Sequence, residues 1–477
     1  MNRSGFWSHC ALQATLRAAI SVLAMCGACI PTHAQTTERR LPSSQAEIQQ
    51  SYAPIVRSAA PAVVNVYSQR IVRQAWRSPF ADDPVFRRFF GEAAPQERVQ
   101  NALGSGVIVR ADGVIVTNNH VVDGADQLRV VLADRREFEA KLILADARTD
   151  LAVLRINPGV EQLPTLRFSD TSKAEVGDLV LAIGNPFGLG QTVTSGIVSA
   201  LARTDTGISD FSFFIQTDAA INPGNSGGAL VDMAGALMGV NTAIYSRSGG
   251  SNGVGFAIPA EMVRRVVESA INEGRVVRPW LGVKGQAVTA DIARTLGLAR
   301  PVGVLVSDLF PGGPGERAGV RRGDVVTKVD SQEVFDEQGL RYLAATRRPG
   351  ETVSVEVLRQ GRALTLSARA VAPPETPRRD LRQIRTNGPL DGAVVINLSP
   401  AVAEELGLDP FSDGVLVVES RGPAARFQLE PGDLLREING QKVETTQRLE
   451  QLLAGASGAT RIVIERRGRR LEGVARF

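Results

Sequence analysis

A mainly β body followed by two copies of a smaller module is the architecture the sequence predicts, and three observations carry it. Between residues 53 and 260 the apolar residues fall in short Val- and Ile-rich runs separated by Gly, Asn and Asp turns. Examples are "GSGVIVRADGVIVTNNHVV", "DLVLAIGN", "TVTSGIVSAL" and "GALMGVNTAIY". Strand–helix alternation at Rossmann spacing is absent, which favours a barrel or sandwich over a doubly wound sheet. Further on, "GVLVSDLFPGGPGERAGVRRGDVVTKVDSQEV" (303–334) returns as "GVLVVESRGPAARFQLEPGDLLREINGQKV" (414–443). Gly323-Asp324 recurs as Gly432-Asp433 and Val334 as Val443, 109 positions on, and "ARTLGL" (293–298) returns as "AEELGL" (403–408), 110 positions on.

The start of the chain reads as an export signal. Residues 1–17 are polar and carry only positive charge, from Arg3 and Arg17, and an apolar run from Ala18 to Ile30 follows. That run has the length of a signal core and is too short to span a bilayer. Thr32 and Ala34 stand as the small residues before a cleavage point at Gln35. The alternatives are an uncleaved anchor and a lipid acceptor at Cys26, where Met25 is bulkier than the usual small residue. With 1–34 removed, Cys10, Cys26 and Cys29 leave together with His9 and His33. The mature chain then has no disulfide, no thiolate–zinc site and no cysteine nucleophile, and His120 is its one imidazole. The 54 basic and 50 acidic residues give a net charge of +4, or +2 once Arg3 and Arg17 are gone, too small an excess for a nucleic-acid-binding face.

The 477 residues are enough for about three domains. "AEMVRRVVESAINEG" (260–274) spaces Met262, Val263, Val266, Val267 and Ile271 helically and ends at Gly274, so a helix closes the first domain. "VAPPETPRRDLRQIRTNGP" (371–389) is rich in Pro and Arg, as an exposed linker is. The expected plan is a signal over 1–34, a β-rich domain over 35–275, a module over 276–372, a linker over 373–386 and a second module over 387–477.

Chemistry concentrates at "INPGNSGGAL". Glycines around Ser226 let backbone N–H groups converge on one point, a nest able to hold negative charge on an attacked carbonyl oxygen. Gly224-Asn225-Ser226-Gly227-Gly228 also satisfies the G-x-S-x-G elbow of α/β-hydrolases. That fold needs a histidine after the serine, whereas His120 precedes Ser226 by 106 positions. The surviving order is His, Asp, Ser, as in chymotrypsin. "ADARTDLAVLRI" offers Asp150 as the acid, with Asp146 as rival and Asp170, Asp178 and Asp218 behind. A subtilisin order would need Asp82 or Asp112, and the missing helix–strand alternation argues against it.

"TNNHVV", "RTDLAVLRI" and "QTDAAINPGNSGGALVD" resemble the three active-site blocks of the HtrA (DegP/DegQ-type) serine proteases. "LAIGNPFGLGQTVTSGIVSAL" and "GVGFAIP" are similar to that family as well, and the likeness runs over 50–477. It implies a chymotrypsin-like double β-barrel followed by two small α+β PDZ domains. It also implies Ser226 as nucleophile, His120 as general base and Asp150 as the group orienting the imidazole. N–H groups of Gly224, Asn225 and Ser226 would form the oxyanion hole, each donor worth about 3–4 kcal/mol of barrier. Ile221, Thr242 and Ile244 would meet substrate, with the two isoleucines lining an apolar pocket for small aliphatic residues.

By the same resemblance Trp280-Leu281-Gly282-Val283 is the carboxylate loop of the first PDZ module, which captures chain ends by strand addition. Its counterpart Leu390-Asp391-Gly392-Ala393 puts an acidic side chain at the would-be carboxylate site, which points to assembly instead. Arg203, in the stretch 201–214, would relay PDZ occupancy to the active site. The loop 73–100, with Phe80, Phe86, Phe89 and Phe90, would pack on a neighbouring subunit of a trimer-based assembly. Two function classes follow. One is a periplasmic endopeptidase acting on misfolded proteins without metal or cofactor; the other is a chaperone-like peptide-binding scaffold. Three reactive groups in one domain favour the enzyme.

Overall fold

The structure, a computed structural model, describes residues 51–74, 96–185, 190–204, 213–222, 224–244, 251–456 and 458–476. Residues 1–34, read as an export signal, and the four phenylalanines of the 73–100 loop lie outside the described residues.

Among the described residues the first domain has thirteen strands in two sheets. The first sheet holds β1 (Val63–Gln74), β2 (Gln96–Arg110), β3 (Val114–Thr117), β4 (Gln127–Val131), β5 (Glu137–Glu139), β6 (Lys141–Asp146) and β7 (Leu151–Arg155), in the order β5-β4-β1-β2-β3-β7-β6. Its two edges are one stretch of chain. Residues 137–139 pair with β4 and residues 141–146 pair with β7, so the segment turns the corner at buried Ala140 and rounds the sheet into a barrel. The second sheet is a closed barrel of β8 (Leu179–Gly184), β9 (Thr192–Arg203), β10 (Phe214–Thr217), β11 (Ala229–Asp232), β12 (Leu237–Ile244) and β13 (Gly255–Pro259). Each barrel fills itself with the small branched side chains that the sequence alternates along its strands. Val64, Val66, Ile108, Ile115 and Leu154 pack in the first, and Val180, Ala182, Val198, Ile215 and Leu230 in the second.

The helix expected at 260–274 spans Ala260–Asn272, and Gly274 follows with φ +66°, its N–H on the Ser269 carbonyl. Met262, Val263, Val266 and Val267 are buried in a core that continues into the first module. Among the described residues no helix is long and apolar enough to cross a membrane.

The two modules repeat one plan because they repeat one ion pair. Asp324 accepts from Arg359 through Nε and Nη2, both at 2.7 Å, and caps the Arg321 N–H at 2.8 Å. Asp433 accepts from Arg466 at 2.6 and 2.7 Å and caps the Glu430 N–H at 2.8 Å. The preceding Gly323 and Gly432 take φ +87° and +95°, a conformation that side-chain-bearing residues resist. The recurring Gly-Asp is therefore a turn plus a buried carboxylate held by a guanidinium at the end of the neighbouring strand.

One expectation is corrected. The stretch read as a linker already belongs to the second module: the strand Arg382–Gln383 pairs with Ala393–Asn397, and Ile384 is buried in that module's core. A Pro- and Arg-rich composition signals exposure, which holds for Leu381 and not for Ile384, the buried apolar residue that anchors the segment.

Replacing Asp433 by Ala removes the buried carboxylate, leaves Arg466 only Glu430 and the Gln428 carbonyl, and is expected to destabilise the second module by about 3 kcal/mol. A lowered melting transition and faster limited proteolysis beyond residue 390 are the readouts; unchanged melting would count against the pairing as an anchor.

Candidate active site

Adjacent strand ends bring His120 and Asp150 together. Strand β3 pairs antiparallel with β7, Thr117 opposite Ala152, so the short helix Asn119–Val122 after one strand sits beside the turn before the other. Asp150 occupies that turn with φ +56°, a left-handed conformation that Asp tolerates better than most residues. Two donors hold it there: the Asn119 N–H at 3.0 Å and Asn118 Nδ2 at 2.9 Å, both on the Asp150 carbonyl. Its carboxylate then faces the imidazole, with His120 Nδ1 2.8 Å from Oδ2 and 3.0 Å from Oδ1 and the His120 N–H donating to Oδ1 at 3.0 Å. A carboxylate against Nδ1 places the ring proton on that nitrogen and leaves Nε2 with its lone pair. The imidazole is half exposed, while the Asp150 side chain is only 14% exposed.

The second barrel supplies the serine and the link. Ser226 lies between β10 and β11, and Thr242 lies on β12. Thr242 Oγ1 donates to Asp150 Oδ2 at 2.5 Å, and the Thr242 carbonyl accepts from Ser226 Oγ at 3.2 Å. One buried residue thus touches both the acid and the hydroxyl. Among the described residues Ser226 Oγ makes no hydrogen bond to His120, so the serine hydroxyl rests on the Thr242 carbonyl.

The turn carrying Ser226 is clamped from the first barrel. Buried Ser105 donates from Oγ to the Gly224 carbonyl at 2.6 Å, and its N–H donates to the Ser226 carbonyl at 2.8 Å. Ser105 Oγ accepts in turn from the Asn185 N–H at 2.9 Å. Gly224 has φ +100°. Gly227 has φ +84°, and a methyl group there would run into the Ser105 carbonyl and the Thr117 hydroxyl. Sequence reasoning missed Ser105 and Asn118; the "GSG" run at 104–106 was the only signal, and glycine-rich turns are common.

The other expected positions divide. The N–H of Asn225 donates to the Asn222 carbonyl at 3.0 Å, closing a turn, so it is not available as an oxyanion donor. Among the described residues the N–H groups of Gly224 and Ser226 have no backbone partner. Ile221 is 2% exposed, packed in the second barrel's core against Gly255. Ile244 and Arg203 end strands β12 and β9, and their side chains lie outside the described parts. Both sides of the 205–212 stretch rest on the first module: Thr204 Oγ1 donates to Asp336 at 2.5 Å, and Phe213 stacks on Tyr342 at 4.1 Å.

Around the first module's loop, the Trp280 N–H donates to the Val371 carbonyl, while the Leu281 and Gly282 carbonyls accept from Gly315 and Phe310; Val283 opens an edge strand. In the second module Asp391 Oδ1 accepts from the Thr386 N–H at 3.0 Å, so the acidic side chain closes its own turn. Among the described residues no group of three or more His, Cys, Asp or Glu gathers as a metal site would.

Residues 104–240 match the family Trypsin-like peptidase domain, and residues 279–369 and 414–466 each match a PDZ domain family. A probable periplasmic serine endoprotease DegP-like from Chlamydia trachomatis is 37% identical over 444 residues, 88% of this chain and 87% of that protein. A probable periplasmic serine protease do/HhoA-like from Haemophilus influenzae is 37% identical over 445 residues, covering 91% and 93%. Among solved structures, the HtrA-type protease AlgW with decapeptide aligns with TM-score 0.51 and 48% identity over 68% of this chain and 99% of that one. A His–Asp pair and a clamped serine turn joined across two barrels, two PDZ modules and relatives of matching length make this chain a member of the DegP-like (HtrA) family of serine endoproteases.

Proposed function

We propose that this chain is an exported endopeptidase that degrades misfolded or damaged proteins in the periplasm, with its PDZ domains docking peptide segments and regulating the cut. The observation that carries the chemistry is the Asp150 carboxylate shared by His120 Nδ1 and Thr242 Oγ1, with Ser226 Oγ on the same Thr242. In this reading His120 Nε2 accepts the Ser226 proton as Oγ attacks the scissile carbonyl, then returns it to the leaving amine. Asp150 fixes the tautomer and stabilises the transient imidazolium. Water repeats the sequence on the acyl-enzyme. The N–H groups of Gly224 and Ser226 receive the oxyanion, and Ile221 and Ile244 form the apolar wall of the side-chain pocket.

Thr242 takes a positioning role in this scheme beside the substrate contact expected of it, since its hydroxyl is committed to Asp150. The rest position of Ser226, on the Thr242 carbonyl, gives a chaperone-like second reading some footing: a site at rest leaves the docking modules to hold unfolded chains between cuts. A trimer-built assembly is part of the proposal and rests on the family.

Ser226→Ala is expected to lower casein cleavage by about 10⁶-fold, insensitive to chelators before and after the change. Cleavage surviving in that variant would sink the assignment, and holdase activity surviving in it would support the second reading. Asp150→Asn is expected to lower kcat by about 10⁴-fold while leaving KM nearly unchanged. Thr242→Val, which removes only the hydroxyl, should lower kcat by about 10–100-fold, the worth of one hydrogen bond to a charged group. A Thr242→Ser enzyme that fails to recover turnover would argue against positioning through Asp150. Gly227→Ala should cost about 1–3 kcal/mol of stability and most turnover, read by melting and casein cleavage.

A further inference from the structure

The peptide groove of the first PDZ domain runs between its edge strand, Val283–Ala287, and the helix Glu337–Ala345, closed at one end by the Trp280–Val283 loop. In this molecule residues of the second PDZ domain stand in that groove. Its lining includes Pro410, Phe411 and Glu404 alongside Trp280, Leu340 and Ala344. Phe411 meets the Trp280 ring at 6.1 Å and the Phe310 ring edge-on at 6.2 Å, and Lys284 Nζ lies 5.7 Å from the Phe411 ring centre. Asp409, two residues before Phe411, pairs with Lys284 on the edge strand at 2.5 Å. That carboxylate holds the Lys284 ammonium above its ordinary range, so the link stays charged throughout neutral pH.

Glu404 fixes the second domain in place. It accepts from Arg341 on the groove helix at 3.1 Å and from Arg148 of the protease domain at 2.9 Å. What remains of the groove is a narrow cavity of about 30 Å³. Trp280 Nε1 is buried there and makes no hydrogen bond among the described residues.

We propose that the 408–413 loop of the second PDZ domain is a built-in cap on the peptide groove of the first, with Phe411 in the place of a ligand's apolar side chain. The inference rests on the peptide-docking reading above and adds an internal competitor to it. The ligand it selects is an extended segment bearing an aromatic or large apolar residue, able to add to the edge strand once the loop leaves. Its apparent affinity is lowered by the fraction of molecules that are capped. Release of the cap also withdraws Glu404 from Arg148, two residues before Asp150, so ligand binding reaches the turn that carries the acid.

The test uses the full chain with Ser226→Ala and a fluorescein-labelled ten-residue peptide ending in Gly-Pro-Phe, which has no acidic side chain for Lys284. Binding is followed by anisotropy. Asp409→Lys, an exposed change that sets two cations together, is expected to tighten binding about tenfold, and Phe411→Ala should move it the same way. The double swap Lys284→Glu with Asp409→Lys is expected to restore the parent affinity. Equal or weaker binding by Asp409→Lys and Phe411→Ala overturns the cap while leaving peptide docking intact. No binding by any of the chains overturns the docking reading and the cap with it.

Discussion

The Asp150 carboxylate is the point on which the active-site geometry depends. It is mostly buried, and three donors reach it: His120 Nδ1, the His120 N–H and Thr242 Oγ1. A buried charge is tolerated only when its lone pairs are satisfied, so each donor is required for the others' geometry to persist. The imidazole and its N–H come from the first barrel and the hydroxyl from the second. The Asp150 side chain therefore links the two barrels at the place where the chemistry needs alignment to a few tenths of an ångström.

The backbone around this carboxylate is strained on one side and free of side chains on the other. Asp150 holds a left-handed φ because Asn118 and the Asn119 N–H grip its carbonyl. Across the cleft Gly227 must be glycine, because the Ser105 carbonyl and Thr117 hydroxyl leave no room for a methyl group. Ser105 ties the serine turn to the first barrel through both Gly224 and Ser226. Ser226 is thus positioned by a residue of the opposite barrel as much as by its own strand.

The same turn is the meeting point of the domains. Asp146 pairs with buried Arg278 at the entrance to the first PDZ domain and accepts from Thr149 Oγ1 at 2.5 Å. Arg148 reaches Glu404 of the second. Residues 146–150 therefore carry one contact to each PDZ domain and end on the acid. Such buried pairs contribute little net stability, but losing one partner is costly. Asp146 was the rival acid on sequence grounds; its carboxylate is committed to docking, four residues from the chemistry.

Much of this protein was legible in its sequence. A single imidazole outside the first 34 residues, a serine in a glycine-rich turn after it and an acid heading an apolar run point to the order of the groups proposed as reactive. Those signals are local and chemical, and they need no knowledge of which strands pair. The repeated Gly-Asp likewise announced two modules, since a positive φ followed by a turn-capping carboxylate is written in adjacent residues. Tertiary structure alone decided the rest. Thr242, Ser105 and Asn118 act through partners 16 to 121 positions away, and hydroxyls and amides of that kind occur throughout any β protein. That Asn225 closes a turn, that Ile384 pulls a supposed linker into a sheet and that Phe411 fills a groove in another domain all follow from pairings between distant segments. Such pairings depend on which surfaces meet after folding, and composition and spacing along the chain do not encode that directly.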